Sequence, residues 1–294
     1  MISENTSPLI KIIECPRDAM QGWKEWIPSD VKINYINSLL NIGFDTIDVG
    51  SFVSEKAIPQ MKDTDIVLNS IDMSDTDTKL LAIVANKRGA DQAITFKNIS
   101  YLGFPFSISE TFQKRNTNKS IEEAFDTVKE MQEIVSRSGK MLVIYISMGF
   151  GNPYGDVYNE DIVLKWVSKM AALDIKIISM ADTVGVATAP QVSSILSKLI
   201  PSYKNIEIGV HLHASVSQQQ EKIMSALSAG CVRFDGALKG IGGCPMANDD
   251  LVGNINTENI ITILENQNIP LLINKEALAE SLILASNIFH TNHI

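Results

Sequence analysis

The feature of this chain that most limits its fold is a regular alternation of short apolar runs with amphipathic stretches. Eight runs rich in Val, Ile and Leu are candidate strands. Most are nearly continuous in apolar residues, as expected for parallel strands covered on both faces. The candidate strands are Leu9–Glu14, Thr46–Val49, Lys79–Val84, Asn98–Leu102, Lys140–Ser147, Ile175–Met180, Glu207–His211 and Val232–Asp235. The alternation predicts an α/β protein with a parallel sheet.

Start and stop signals mark helices between these strands. Pro28 and Ser29 precede the first long amphipathic stretch and Gly43 follows it, as at a helix with a cap at each end. Acidic residues open the stretch after Ser120, where the helix dipole favours negative charge. The predicted helices with marked ends are Val31–Asn41, Ile121–Arg137, Val216–Ala229, Glu258–Glu265 and Lys275–Ile288.

The number of repeating units decides between a barrel and an open sheet. Length alone suggests about two domains at roughly 150 residues each. The βα rhythm instead continues without a linker from Leu9 to Glu265, and eight units in series favour a closed TIM (β/α)8 barrel. The first loop reads CPRDAMQG rather than G-x-G-x-x-G, so dinucleotide binding loses its main support. We expect one domain over residues 1–294, with a barrel core at about 9–265 and a short helical extension at about 275–288.

Charge and cysteine content narrow the partners. The chain has 25 Lys and Arg against 34 Asp and Glu, a formal net charge of −9, which disfavours nucleic acid and anionic membranes. No apolar window long enough to span a membrane and no signal peptide is visible, so a cytoplasmic protein with reduced thiols is expected. Of the three cysteines, Cys15 and Cys231 lie in or beside strand-like runs and are predicted to pack in the core.

His211 and His213 form the strongest local signal for chemistry. Residues i and i+2 of a strand point the same way, so both imidazoles would face one site at the barrel mouth. Two neutral imidazoles bind a divalent cation well. An H-x-H pair also occurs on ordinary surfaces, and the spacing alone does not exclude that alternative. Asn254 is a candidate neutral oxygen ligand, unless Gly253 and Asn254 only form a turn.

Arg17 and Asp18 follow the first predicted strand. A neighbouring Arg and Asp most often form a surface turn. In a barrel, however, they lie at the same end as the histidines, because active sites gather at the carboxyl ends of the strands. There Asp18 could ligate a metal, and Arg17 could hold an anionic oxygen with its permanent charge and forked donors. Asp48 and Asp182 follow the same logic, either as partners of an imidazole or an Arg, or as ion pairs inside the barrel.

Cys244 lies in a glycine-rich loop after the last predicted strand. The sequence GIGGCP permits positive φ angles or a close approach of the backbone to a ligand. A thiol with a pKa of ~8.5 is a workable proton donor near neutral pH, and a loop can carry it onto bound substrate. The alternative is a surface turn in which the cysteine has no role.

Together these motifs resemble those of the 3-hydroxy-3-methylglutaryl-CoA lyases of the DRE-type TIM-barrel metallolyase superfamily. The resemblance extends from about Ile10 to Ile269. It rests on the motifs ECPRDAMQ, SFVSEKAIPQM, ADTVGVATAP, HLH and GIGGCPMA followed by GN.

The resemblance implies a role for each matching residue. Asp18, His211, His213 and Asn254 match the family's ligands for Mg²⁺ or Mn²⁺. Arg17 matches the residue that stabilises the enolate oxygen of the departing acetyl-CoA, and Cys244 matches a loop cysteine used as an acid–base partner. Asp48 and Asp182 match active-site acids. Gln21 and Ser51 stand where substrate contacts are expected.

The implied reaction is the cleavage of 3-hydroxy-3-methylglutaryl-CoA, an acyl-CoA substrate, to acetoacetate and acetyl-CoA with a divalent cation as cofactor. A homodimer is expected only by analogy with the fold. The chain departs from the family at Ala19, where Gly is usual, and at Ala214, where Asp usually follows the second His. The loop GFGNPYGD also lacks an expected cysteine, and MANDDLVG is more acidic than usual.

Three other functions remain open at this stage. The chain could be a Claisen-type synthase of the same superfamily, or a lyase for another 3-hydroxyacyl-CoA. The synthases usually carry G-E-R in the last loop, so GGCP favours a lyase. A non-catalytic barrel used as a binding module is the third alternative, although the intact set of polar residues speaks against it.

Overall fold

A computed structural model describes residues 9–243 and 252–290, and it shows a closed barrel of eight parallel strands in sequential order. The strands are Lys11–Glu14 (β1), Thr46–Ser51 (β2), Lys79–Ile83 (β3), Ile99–Ser107 (β4), Met141–Ser147 (β5), Ile177–Ala181 (β6), Glu207–His211 (β7) and Arg233–Gly236 (β8). The barrel closes where β1 pairs with β8, with Ile13 opposite Asp235. The predicted TIM barrel is therefore confirmed.

The helices surround this barrel. They are Pro16–Gln21 (α1), Ser29–Leu40 (α2), Thr64–Ser70 (α3), Lys87–Ala93 (α4), Glu110–Thr117 (α5), Ile121–Arg137 (α6), Glu160–Ala172 (α7), Ala189–Ser202 (α8), Val216–Ser228 (α9), Thr257–Asn266 (α10) and Lys275–Ile288 (α11). Two of them start with a capping box, at Ser120 and at Thr188. The predicted C-terminal helix is present and packs against α2, where the Ser281 and Ser38 hydroxyls are 3.0 Å apart.

The predicted strands and helices lie within two residues of their observed bounds, except for one strand, and six helices were not among those predicted: α1, α3, α4, α5, α7 and α8. Strand β4 continues to Ser107 instead of ending at Leu102, because Gly103 and Pro105 do not interrupt its pairing with β5. Helix α1 was not predicted at all. It is only six residues long, begins with Pro16, and follows β1 after a single residue.

The main hydrophobic core lies between the strands and the helices. Alternate strand residues point outward into it, such as Leu80 and Ala82 on β3 and Phe234 on β8. Within the described residues, no helix has the length and apolar content needed to cross a membrane.

The residues that point into the barrel divide its interior into two halves. On the β3–β6 side they form a separate apolar cluster, which we call the apolar half: Leu81, Ile83, Tyr101, Val143, Tyr145 and Ile177. On the β7–β8–β1 side they are charged, and we call this set the charged half: Lys11, Glu207, Arg233, Asp235 and His211.

The charged half forms a row of alternating sign along the barrel axis. Lys11 pairs with Glu207, whose other oxygen lies 2.9 Å from Arg233 Nη1. Arg233 Nε is 3.9 Å from Asp235 Oδ1, and Asp235 Oδ2 is 3.3 Å from His211 Nδ1. The row therefore leads from the amino-terminal end of the barrel to the predicted site at its carboxyl end.

Candidate active site

Helix α1 places Arg17 and Asp18 directly over the carboxyl end of β1. Both residues are buried although they lie beyond the strand, because the helix folds back over the barrel mouth. The Asp18 carboxylate accepts hydrogen bonds from Arg17 Nη1 at 3.1 Å and from Gln21 Nε2 at 2.6 Å. Asn254 Nδ2 donates to its second oxygen at 2.6 Å. The structure thus brings together four of the predicted residues from both ends of the chain.

His211 and His213 complete this cluster from β7. Their Nε2 atoms are 3.3 Å apart, and one carboxylate oxygen of Asp18 lies within 4.8 Å of a ring nitrogen of each. His213 and Asn254 are paired in an isolated antiparallel bridge, which puts the amide beside the imidazoles. The predicted set Asp18, His211, His213 and Asn254 therefore converges at one point of the mouth.

The cluster has the composition and the free atoms that a divalent cation needs. Among the described residues, Asn254 Oδ1 and His213 Nδ1 are buried without a hydrogen-bond partner, an arrangement that is costly unless another group binds them. A carboxylate, an amide oxygen and two imidazoles are donors that Mn²⁺ and related cations accept. These four residues fit the predicted cation.

The protonation states of His213 and Asp18 agree with this interpretation. Burial and the neighbouring His211 lower the pKa of His213 to about 4, so His213 is neutral at pH 7. Burial opposes ionisation of Asp18, but Arg17, the two imidazoles and the Asn254 amide together lower the pKa of Asp18. A neutral imidazole and an ionised carboxylate are the forms that bind metal ions.

Arg17 is held between two acids. Its Nε and Nη2 atoms donate to Asp48 Oδ2 at 2.9 and 2.5 Å, and its Nη1 atom donates to Asp18. A guanidinium has five N–H groups, so one remains on each terminal nitrogen after these three bonds. Burial raises the pKa of Asp48 to about 6, although Arg17 opposes that rise. Asp48 on β2 thus fixes the direction of Arg17.

The two predicted substrate-contact residues have different surroundings. Gln21 is half-buried and binds Asp18, so it belongs to the same cluster. Ser51, at the carboxyl end of β2, is buried, and its hydroxyl accepts a hydrogen bond from the Val53 amide at 3.2 Å. That bond gives Ser51 a role in the turn after β2, and its contact with substrate stays a prediction.

Asp182, after β6, is engaged by other groups. Its Oδ2 atom accepts from Lys222 Nζ at 2.9 Å and its Oδ1 atom accepts from the Ala187 amide at 3.0 Å. Burial raises the pKa of Asp182, with Lys222 opposing the rise. Both carboxylate oxygens are thus taken up by protein donors, and a role as an active-site acid stays a prediction.

The glycine-rich loop after β8 runs against this cluster. Gly242 has a φ of 107°, and a Cβ there would lie 2.6 Å from Asn254 Nδ2 and 2.8 Å from the Asp18 carbonyl oxygen, so only glycine fits. Cys244, which follows two residues later, lies outside the described residues. The other two cysteines, Cys15 and Cys231, are free and buried, as predicted.

Three residues that support the histidines were not predicted from the sequence. Asp235 on β8 contacts the ring of the predicted ligand His211. Lys222 on α9 donates to the carbonyl oxygen of the predicted ligand His213. Tyr145 on β5 packs edge-on against His211, with ring centroids 5.9 Å apart. The pattern Arg-Phe-Asp in β8 was the available signal, because charged residues that alternate with Phe234 in a buried parallel strand must face the barrel interior.

A second group of metal-binding atoms shares one histidine with the first. Single ligand atoms of Cys15, His211 and Asp235 lie within 4.8 Å of one another. Burial, followed by the nearby acids, raises the pKa of the Cys15 thiol well above its usual value. A protonated thiol is not a metal ligand. The group that contains Asp18 and His213 is therefore the better candidate.

The fold and this cluster define a TIM-barrel protein with a candidate cation site at the carboxyl ends of its strands. A family model described as HMGL-like matches residues 10–284. The chain belongs to the HMGL-like family.

Named relatives of the chain include bacterial and animal proteins. It is 32% identical over 263 residues to hydroxymethylglutaryl-CoA lyase YngG of Bacillus subtilis, covering 90% of this chain and 87% of the relative. It is 30% identical to the mitochondrial hydroxymethylglutaryl-CoA lyase of Mus musculus, covering 92% and 83%.

Solved structures agree with the sequence relatives. The HMG-CoA lyase from Acinetobacter baumannii, in complex with coenzyme A and 3-methylmalate, superposes with a TM-score of 0.89 at 31% identity and covers 96% of this chain and 92% of that chain. The Bacillus subtilis HMG-CoA lyase gives a TM-score of 0.89 at 30% identity, covering 95% and 93%. The carboxyl transferase domain of Rhizobium etli pyruvate carboxylase, at 10% identity and a TM-score of 0.67, shares the fold alone.

Proposed function

We propose that this protein is a divalent-cation-dependent lyase that cleaves 3-hydroxy-3-methylglutaryl-CoA to acetoacetate and acetyl-CoA. The observation that carries the proposal is the convergence of Asp18, His211, His213 and Asn254 beside Arg17. The relatives named as lyases of this substrate support the same reaction.

The cation has a defined place and task in this proposal. Asp18, His211, His213 and Asn254 would hold Mg²⁺ or Mn²⁺, which supplies positive charge that acidifies the substrate hydroxyl and orients the substrate. The choice between the two cations is open.

Arg17 stabilises the negative charge that forms when the C2–C3 bond breaks. Cleavage of that bond leaves an enolate of acetyl-CoA, and the two remaining N–H groups of Arg17 can donate to its oxygen. Charge stabilisation by donors already in place is usually the largest catalytic contribution. Because Asp48 and Asp18 hold the guanidinium from two sides, Arg17 needs little rearrangement when that charge develops.

The acids beside Arg17 include a candidate acceptor for the proton of the substrate hydroxyl. Asp18 is ionised and lies in the cluster, so it is a suitable acceptor when the substrate hydroxyl loses its proton. Asp48, with a pKa of about 6, is the neighbouring acid and orients Arg17. A positioned acid or base typically contributes about 10²- to 10⁴-fold to a rate.

We assign to Cys244 the return of a proton to the enolate carbon, which gives acetyl-CoA. The support is the course of the described chain up to Gly243, the residue before it. A Cβ at Gly242 would meet Asn254 and Asp18, so the backbone there runs along the cation site. A thiol with a pKa of ~8.5 is a workable proton donor near neutral pH.

The substrate carries negative charge, and so does the protein. The net charge of −9 makes the surface unfavourable for an anionic acyl-CoA. Arg17 and the cation provide the local positive charge that counters it. A cytoplasmic location and a homodimer stay predictions, and the relatives named as cytoplasmic are compatible with the first.

The proposal predicts activity that depends on the cation and on His213. Purified protein with Mg²⁺ is expected to release acetoacetate from 3-hydroxy-3-methylglutaryl-CoA, and a chelator is expected to abolish release until Mg²⁺ is added back. His213→Ala should weaken Mn²⁺ binding by at least about tenfold, because the cluster loses one donor. A coupled acetoacetate assay and a Mn²⁺ titration measure the two effects.

His290→Ala is the matched control, because His290 lies at the exposed end of the chain after α11. This variant should keep the acetoacetate release and the Mn²⁺ affinity of the parent protein. Turnover of another 3-hydroxyacyl-CoA without turnover of this one would replace the substrate. Claisen condensation activity would indicate a synthase. The absence of any turnover would indicate a non-catalytic binding module.

A further inference from the structure

We propose that Lys222 and Asp182 are positioning residues that fix the metal ligand His213 through its backbone. The inference rests on the proposed cation site and goes beyond it, because neither residue touches the four ligand side chains in the way a ligand or an acid would. It assigns Asp182 a role different from that of the active-site acid predicted from the sequence.

Lys222 uses every proton of its ammonium group. Its Nζ atom lies 2.9 Å from Asp182 Oδ2, 2.7 Å from the His213 carbonyl oxygen and 3.3 Å from the Gly185 carbonyl oxygen. An ammonium has three donors, so these three acceptors match its full capacity. The side chain is 1% exposed and comes from α9, which is otherwise an amphipathic helix.

These bonds join three parts of the barrel mouth. Asp182 and Gly185 belong to the loop after β6, His213 follows the end of β7, and Lys222 belongs to the helix after it. On its other side, the chain beyond β7 is held by residues 253–255, where the Ala214 amide donates to the Gly253 carbonyl at 3.3 Å. The His213 backbone is thus fixed from two directions, and the direction of its imidazole follows from its backbone.

Lys222 bonds to more than its ion-pair partner. Asp182 is its carboxylate, and the nearby Ala214 is 4% exposed and brings no charge. Removing one partner of a buried ion pair leaves an unpaired charge, whereas keeping a pair costs desolvation. A pair that only filled space could be replaced by apolar residues. Lys222 instead also bonds to the backbone carbonyl oxygens of His213 and Gly185, which lie in the segments after β7 and β6.

A second buried pair in the same chain provides a comparison. Lys32 on α2 is 2% exposed, lies 2.6 Å from Asp63 Oδ1 and also donates to the Gln60 carbonyl. This pair is about as buried as Lys222 and Asp182, although its ammonium has one backbone acceptor where Lys222 has two. Its backbone acceptor belongs to the segment after β2, and that segment supplies no ligand to the cluster.

The test compares Lys222→Met with Lys32→Met in the full-length protein, with Mn²⁺ alone as the probe. Lys222→Met is expected to weaken Mn²⁺ binding about 10- to 100-fold, the usual effect of losing a group that orients a ligand. It should also lower kcat while the KM for substrate changes less than the kcat. Lys32→Met should lower the melting temperature and leave Mn²⁺ affinity within about twofold of the parent protein.

A double variant keeps the test usable if Lys222→Met does not fold. Lys222→Met combined with Asp182→Asn removes both charges, so no unpaired carboxylate is left in the interior. It should fold and still show the same loss of Mn²⁺ affinity. Parental affinity in either folded variant would overturn the positioning role and leave the lyase proposal intact. A parent protein that binds no Mn²⁺ would overturn both.

Discussion

The two halves of the barrel interior solve the same packing problem with opposite chemistry. The apolar half fills its space with side chains such as Leu81, Val143 and Ile177, as most barrels of this kind do. The charged half fills equivalent positions with Arg233, Asp235 and Glu207, at the cost of taking their charges out of water. Arg233 and Asp235 are as buried as the apolar half, so solvent access does not explain the charge at their positions; Lys11 and Glu207, at the amino-terminal end, are partly exposed.

The two halves differ in the residues that they place at the carboxyl end of the barrel. The charged row ends at His211, whose Nδ1 atom faces Asp235, so its Nε2 atom faces the cation site. The apolar half ends at Ile83 and Tyr145, neither of which is a proposed ligand. Carboxylates commonly hold metal-binding imidazoles in this way. Buried charge is thus found on the side of the barrel that carries the proposed ligand His211.

Breaking the row in its middle should have the largest effect. Arg233→Met leaves Asp235 and Glu207 without their shared cation, and we expect a loss of roughly 3–5 kcal/mol in the free energy of unfolding. Urea denaturation followed by circular dichroism measures this loss. Adding Asp235→Asn should restore part of it, because Asp235 is the fully buried carboxylate that loses its cation, whereas Glu207 keeps Lys11 as a partner. If Arg233→Met were as stable as the parent protein, the charged half would not depend on its pairing.

A buried acid that lies outside the row sharpens the comparison through pH. Glu14 points away from the interior and is bound by the Leu238 amide and the Thr257 hydroxyl, and burial raises the pKa of Glu14 to about 8. The folded state then holds a proton that the unfolded state has lost, so stability is complete below about pH 4.5 and falls until about pH 8. The slope is roughly 1.4 kcal/mol per pH unit.

Glu14→Gln should remove that slope, because the amide is neutral throughout the window. The free energies of unfolding from urea denaturation at pH 5, 6 and 7 are expected to fall by about 1.4 kcal/mol per pH unit more in the parent protein than in the variant, because Asp48 and His213 titrate in both proteins. Equal slopes in both proteins would show that Glu14 is ionised in the folded state, as a paired acid would be.

The smallest change tests the end of the row. Asp235→Asn keeps the shape of the side chain and weakens the acceptor for the His211 Nδ1–H group. Mn²⁺ affinity should fall about 10- to 100-fold in a titration of the purified protein. Ile177→Val is the matched control in the apolar half. It should cost only about 0.5–1.5 kcal/mol of stability and leave Mn²⁺ affinity unchanged. Equal affinities in the two variants would remove the functional difference between the halves.

The sequence was sufficient for the barrel because its signals are local and repeated. Eight apolar runs with helices between them predicted the strand order, and capping residues such as Ser120 marked real helix ends. Strand β4 was predicted too short, since Gly103 and Pro105 are usually found where strands end. Helix α1 was missed because six residues are too few to show a helical period.

The cation cluster was predicted for a similar reason. His211 and His213 are close in sequence, and Arg17 and Asp18 are neighbours, so each pair could be recognised without knowledge of the fold. Asp235 and Lys222 could not, because their partners lie far away in the sequence and no fixed spacing links them. Their contacts depend on the register between β7 and β8 and on the packing of α9.

Gly209 and Arg233 place a constraint on the order in which this barrel can change. A Cβ at Gly209 would lie 2.7 Å from Arg233 Cδ, so the absence of a side chain on β7 provides the room for the long side chain on β8. Gly209 cannot gain a side chain while Arg233 is present, whereas Arg233 can become smaller first. A survey of single substitutions would therefore find that Gly209 tolerates no side chain. Only variants in which Arg233 has already been replaced by a smaller residue would show that position 209 can then accept one.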